Sequence, residues 1–228
     1  MPNPDASQSL HRRWQVAQEG EFAFWQGVAK DGYADHDPKQ FVDVLQRNWL
    51  MSCLAFLDKP LDSWRDKVVV EFGPGPAGFV EYIEARRRIG IEPLIERYRA
   101  VFPHLKDSQV EYWSCPAEEA DDVPDQCADL VISFNMLDHA RDPERVVAQM
   151  SRVAKPGADL LFQVNAYLSE AEIAEKTGQH AELHPHSFFP ETAKDLLRRH
   201  GFTVHKEFCA PERSADGEHY FICAGART

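Results

Sequence analysis

Residues 68–79 read VVVEFGPGPAGF: three β-branched residues, an acid at Glu71, glycines at Gly73, Gly75 and Gly78, and the first apolar residue of a helix. A buried strand, a glycine loop and a helix in that order are the layout of a nucleotide-type cofactor site in a doubly wound α/β sheet. Glycines so close behind a strand let the backbone approach a ligand. Two residues between them, Pro74 and Pro76, have no backbone N–H to donate. A pyrophosphate is held by N–H groups at a helix N-terminus, so this loop suits a cofactor that carries adenosine but no phosphate. S-adenosylmethionine is such a cofactor.

Outward from the loop, short apolar runs alternate with longer amphipathic ones, the pattern of repeated βα units. It predicts strands at 67–72, 90–92, 109–114, 128–134, 159–164, 203–209 and 220–224, and helices at 78–89, 93–102, 143–153 and 190–200. Proline opens several of these helices, and Lys155-Pro156-Gly157 and His200-Gly201 read as helix stops. The last two strands flank the turn-rich APERSADGE and should pair antiparallel at one sheet edge. Ahead of the sheet, Trp14, Phe22, Trp25, Phe41, Trp49 and Phe56 recur at helical spacing, interrupted by DGYADHDP at 31–38. Two or three helices are expected there. The organisation predicted is a helical lid or extension over 1–60 and a cofactor-binding domain over 61–228.

At 228 residues the chain suits one α/β domain with decoration. With 25 Lys+Arg against 37 Asp+Glu, its net charge of -12 would repel a phosphate backbone, so nucleic acid is not an expected partner. The dense basic run Arg86-Arg87-Arg88 falls late in the predicted helix 78–89, where cations favour the helix C-terminus. The five cysteines (Cys53, Cys115, Cys127, Cys209, Cys223) form no C-x-x-C pair, and their odd number argues for a reducing compartment. The start MPNPDASQSLHRRW lacks the apolar core of a signal peptide, and no stretch is apolar for long enough to span a bilayer. A cytoplasmic protein with no membrane partner is expected.

Four segments in this order resemble the class I S-adenosylmethionine-dependent methyltransferase family, over roughly residue 67 to the C-terminus. They are EFGPGPAG at 71–78, GIEPL at 90–94, CPAEE at 115–119, and the block from DLVISFNMLDHARDPERVV through RVAKPGADLLFQV between 129 and 164. The resemblance implies a Rossmann-like, doubly wound, seven-stranded, mostly parallel sheet with an antiparallel last strand, and S-adenosyl-L-methionine as cofactor. Gly73 and Gly75 would then contact the cofactor, Glu71 its methionine amine through water, and Ala117 and Glu118 its adenine. Glu92 ends its strand about 20 residues beyond the first glycine, the spacing of a carboxylate that accepts from ribose hydroxyls. Asn135 and Met136 follow the fourth strand, where the reacting methyl should lie.

A proton acceptor could come from His139, or from His184 and His186 in the segment GQHAELHPHSFF at 178–189, which also holds His180. Capping or packing histidines are the alternative. No metal site is expected, because no nearby cysteine or paired carboxylate completes a ligand set. Arg47 and Trp49 could face the methionine carboxylate. The expected activity is methyl transfer to an oxygen or nitrogen of a small-molecule acceptor. EFAFW at 21–25 resembles members that modify sugars or glycans. An NAD(P)-dependent oxidoreductase, a non-catalytic S-adenosylmethionine-binding protein, and an oligomer through the N-terminal helices are the alternatives left open.

Overall fold

A computed structural model describes residues 4–33 and 35–228, with backbone alone at 4–11, 179, 180 and 182. Seven strands form one sheet: β1 (Val68–Phe72), β2 (Arg87–Ile91), β3 (Glu111–Trp113), β4 (Ala128–Phe134), β5 (Ala154–Ala166), β6 (Phe202–Arg213) and β7 (His219–Arg227). Their order is β3-β2-β1-β4-β5-β7-β6. The first five run parallel, and β7 lies antiparallel to both β5 and β6. The reversed strand is thus inserted between β5 and β6, and β6 is the edge.

The helices are α1 (Pro4–Asp31), α2 (Pro38–Gln40), α3 (Arg47–Leu54), α4 (Phe79–Tyr82), α5 (Ile95–Val101), α6 (Pro143–Val153), α7 (Glu170–Glu175), α8 (Gly178–Leu183) and α9 (Pro190–Arg199). A π-helical turn, Phe41–Gln46, joins α2 to α3. α6 shows why such a segment folds as it does: the Asp142 side chain accepts from Arg145 N, Pro143 opens the first turn, and Val146, Val147, Met150 and Val153 share the buried face. It matches the predicted 143–153, and β4 matches 128–134.

Side chains of β1 alternate between two cores. Val68, Val70 and Phe72 pack with α6 and α9, while Val69 faces Leu50, Leu54, Phe79 and Val80 on the other side. Glu71 shares the face of Val69, which brings its carboxylate to the N-terminus of α4, where Oε2 accepts from Val80 N at 2.9 Å.

The helix expected over 78–89 is corrected. α4 stops at Tyr82 and β2 begins at Arg87, in register with Val68. The arginine run looked like the last turn of an amphipathic helix, but Arg87 forms a bidentate pair with Glu111 across β3. Arg88 Nη1 reaches back to the carbonyls of Val80 and Glu81, so a strand residue supplies the charge that the orphan carbonyls of α4 need. α3 occupies the room left by the missing turns, burying Leu50 and Leu54 against Phe79, Val80 and Ile83. Lys155-Pro156-Gly157 does follow the end of α6, but it lies inside β5, beside an irregularity in the β4 pairing.

Candidate active site

The strand order reverses between β1 and β4, and the crevice beyond their carboxyl ends is the ligand position of such sheets. Gly73 closes β1 at φ +68°, its N–H held by Ile91 O at 2.9 Å, and a Cβ there would lie 2.6 Å from Met136 Cβ. Gly75, at φ +58°, donates to Glu92 Oε2 at 3.0 Å. Glu92 Oε1 accepts from Leu94 N at 2.9 Å, so two backbone donors fix this buried carboxylate and leave each oxygen a spare lone pair. Asn135 ends β4 in the left-handed region at φ +51°, with its N–H on Gln163 O.

These turns enclose two cavities. The narrower, about 70 Å³, is lined by Gly73, Gly75, Glu92, Ala117, Glu118, Asn135, Met136 and His139, and roofed by Trp14, Gln18 and Glu21 of α1. Gln18 Oε1 is buried without a partner among the described residues. The wider, about 450 Å³, shares Glu21, Gly73, Gly75 and Asn135 with it, adds Glu71, and is walled by Phe24, Trp25, Tyr33, Phe41, Trp49 and Phe134. All eight predicted cofactor residues therefore meet around one cleft. Arg47 does not: it lines a separate cavity with Arg65 and Glu84, while Trp49 packs edge-on against Phe134 at 5.2 Å.

Burial raises both cleft carboxyls, Glu71 to about 8 and Glu92 to about 7, against the opposing pull of their backbone donors. Glu118 faces inward, but its Oε1 is committed to the N–H groups of Arg141 and Asp142, which positions the start of α6.

The histidines divide. His184 Nδ1 lies 2.6 Å from Asp138 Oδ2, and His139 Nε2 lies 4.0 Å from the same oxygen. The two rings are 4.3 Å apart. Burial would raise the Asp138 pKa, but the nearby His139 and the His184 hydrogen bond hold it down at about 2. Burial pulls His184 the other way, and Asp138 outweighs it, leaving the imidazole above its usual value. Lys176 Nζ ties down the His184 and His186 carbonyls. His186 packs against Phe188 and is pushed down by burial. The His180 side chain lies outside the described residues. Asp138 is the site residue with no signal of its own in the sequence: it stands beside His139, and nothing local links it to His184.

A profile of the family described as "Methyltransferase domain" matches residues 36–207, well over half of the chain. Among solved structures, the chain is similar to the N-methyltransferase NodS of Bradyrhizobium japonicum WM9 in complex with S-adenosyl-L-homocysteine, with TM-score 0.61 and 18% identity over 96% of this chain and 97% of that one. It is also similar to phosphoethanolamine N-methyltransferase 2 of Haemonchus contortus, with TM-score 0.61, 15% identity, 79% of this chain and 52% of that one. At those identities the likeness is one of fold. A ubiquinone biosynthesis O-methyltransferase of Hahella chejuensis is 43% identical over 53 residues, which is 23% of this chain and 22% of the relative. The match thus spans about a fifth of that curated relative.

The chain belongs to this methyltransferase domain family, as a class I S-adenosylmethionine-dependent methyltransferase. The residues present fit that cofactor. Among the described residues lining the two cavities there are carboxylates and no lysine or arginine, which suits a cationic ligand without phosphate. The close approach of Gly73 to Met136 leaves no room for a side chain in the cradle.

Proposed function

We propose that this enzyme transfers the methyl group to an oxygen or nitrogen of a small molecule held in the wider cavity. The observation that carries the reading is the junction of the two cavities at Gly73, Gly75 and Asn135, beside His139. S-adenosylmethionine supplies an electrophilic methyl on a sulfonium, whose S–C bonding pair stays on sulfur as the new bond to the acceptor forms.

In this reading Glu92 accepts from the ribose hydroxyls, Ala117 and Glu118 line the adenine, Asn135 and Met136 stand near the reacting methyl, and Glu71 faces the methionine amine. The proton displaced from the acceptor passes to His139 Nε2, where the Asp138 carboxylate stabilises the imidazolium. The rings of Trp25, Phe41, Trp49 and Phe134 exclude water and suit the flat body of an acceptor. A sugar or glycoconjugate is a second reading, favoured by the same aromatic walls against a pyranose face.

Residues 1–60 act as a lid in this reading. Trp14, Gln18 and Glu21 of α1 roof the narrower cavity, so α1 lies over the cofactor position. Arg97 on α5 holds α1 down by pairing with Glu19 and lying 3.8 Å above the Phe22 ring.

Thermal melting with S-adenosylhomocysteine and with NAD in parallel tests the reading. Stabilisation by the first alone is expected. Stabilisation by NAD alone would replace it with a dehydrogenase. A panel of hydroxyl and amine acceptors with labelled cofactor then separates an enzyme from a protein that only binds the cofactor.

A further inference from the structure

Asp138, His139 and His184 do more than pair with one another. Each offers a ligand atom, and the three atoms lie within 4.8 Å of each other. Two imidazoles and one carboxylate are the donor set of a divalent transition-metal site with open positions. The set comes from two segments of the chain that the fold brings together, since 46 residues separate Asp138 from His184.

Three further features set it apart from an ordinary buried ion pair. Asp138 is 1% exposed, and its second oxygen, Oδ1, has no hydrogen-bond partner among the described residues. A buried carboxylate oxygen left in that state is costly, and a cation is one way to satisfy it. His139 Nδ1 is likewise buried and unpartnered among the described residues. The backbone behind the set is fixed: His139 N donates to Met136 O, His186 N to Asp138 O, and Lys176 Nζ holds the His184 carbonyl. A site whose supports are in place before the ion arrives binds it more tightly than a loose one.

We propose that Asp138, His139 and His184 bind a divalent transition cation, with its open coordination positions toward the cavity that His139 lines. The inference rests on the reading above that the acceptor in the wider cavity reaches its junction with the narrower one, and it deepens it: an acceptor hydroxyl at that junction completes the coordination, so oxygen rather than nitrogen is methylated in the loaded enzyme. A hydroxyl on such a cation is more acidic than in water, and its proton leaves to solvent because both imidazoles are occupied. The methyl then forms its bond to that oxygen while the sulfur keeps the S–C pair. In the metal-free enzyme the same lone pairs take the proton instead, so proton and cation compete for one place.

That competition has a sign. Ligand imidazoles must be deprotonated, so the cation binds less well as pH falls through the histidine range. Among the described residues, the charged and titratable groups facing the cluster are Lys176, whose charge disfavours a cation, Glu218, which favours one, His186 beside Asp138, and the Tyr167 hydroxyl.

The test uses Co²⁺ as the probe, added to the full chain without an affinity tag after chelator treatment. Equilibrium dialysis is expected to give one Co²⁺ per chain, with the visible bands of nitrogen and oxygen ligation. The His184→Gln and Asp138→Asn chains should each lose at least tenfold in affinity. Loss of affinity by at least tenfold between pH 7.5 and pH 5.5 is expected for the unmodified chain, which keeps the test decisive even if a variant fails to fold. Failure to bind one Co²⁺, equal binding by folded variants, or no weakening at pH 5.5 overturns the proposal. S-adenosylhomocysteine melting on the same samples separates the two readings: stabilisation without Co²⁺ binding sinks the metal site alone, and no stabilisation sinks the methyltransferase reading as well.

Discussion

The Asp138 carboxylate and the His184 imidazole meet at 2.6 Å across 46 residues of sequence, one from the turn after β4 and the other from the segment after α8. Against the effect of burial, His139 and the His184 hydrogen bond keep Asp138 well below the ordinary value, and Asp138 in turn holds His184 above it. An acid whose folded pKa is depressed from 3.8 to about 2 stabilises the fold above pH 3.8 and loses that contribution as pH falls toward 2. A histidine raised from 6.5 contributes fully below pH 6.5 and loses it as pH climbs through its folded value.

The pair should therefore matter most in weakly acidic solution. His184→Gln is expected to lower stability by about 1–3 kcal/mol at pH 5–6, with the difference from the unmodified chain shrinking as pH climbs through the raised value of the imidazole. Urea unfolding at three pH values measures this. A difference that grows with pH would contradict the assignment.

Gly73 and Gly75 separate two reasons for a glycine. Both have positive φ, but a Cβ at Gly73 would strike Met136, whereas at Gly75 the nearest atom is Trp25 Nε1 at an ordinary 3.8 Å. Gly75→Ala should cost about 1 kcal/mol of backbone strain and weaken cofactor binding less than Gly73→Ala, which should lose it at least tenfold. Calorimetry with S-adenosylhomocysteine distinguishes them.

Glu71 predicts the opposite pH trend to Asp138. Burial raises it from 4.5 to about 8, so its proton-bound form stabilises the fold below pH 4.5 and that advantage is lost as pH rises through 8. Glu71→Gln is expected to flatten the fall of Tm between pH 5 and pH 8.5 in the absence of ligand. An unchanged slope would show that the carboxyl ionises freely.

Arg97 links α5 to α1 through Glu19 and Phe22. Arg97→Ala should speed proteolytic cleavage at the turn between α1 and α2 several-fold while leaving the sheet intact, and added S-adenosylhomocysteine should slow it. Cleavage unaffected by either change would count against α1 as a lid.

What the sequence made legible follows the range of the interactions. β4 and α6 have their predicted limits because a continuous apolar run and an Asp-Pro cap are local signals. The residues expected at the cofactor meet around one cleft because most of them stand at or shortly after the carboxyl ends of β1 to β4, which is a local signal. The end of α4 is not legible because Arg86-Arg87-Arg88 satisfies a helical pattern as well as a strand one, and only the partner Glu111 decides between them. The aromatic spacing before residue 57 signals helices but not which rings stay open: Phe41 is buried while Trp49 is 43% exposed, and both wall the wider cavity. The cluster around Asp138 was out of reach because its members are joined only by the fold.

Glu71 and Glu92 are both drawn toward their neutral forms by burial, and both face the same cleft. The consequence is a cradle whose charge follows its occupant. A ligand that brings a cationic amine to Glu71 favours its ionised carboxyl and drives a proton out as it binds, and the amine is the same before and after methyl transfer. The heat of binding should then depend on the ionisation enthalpy of the buffer, and by a similar amount for the methyl donor and its product.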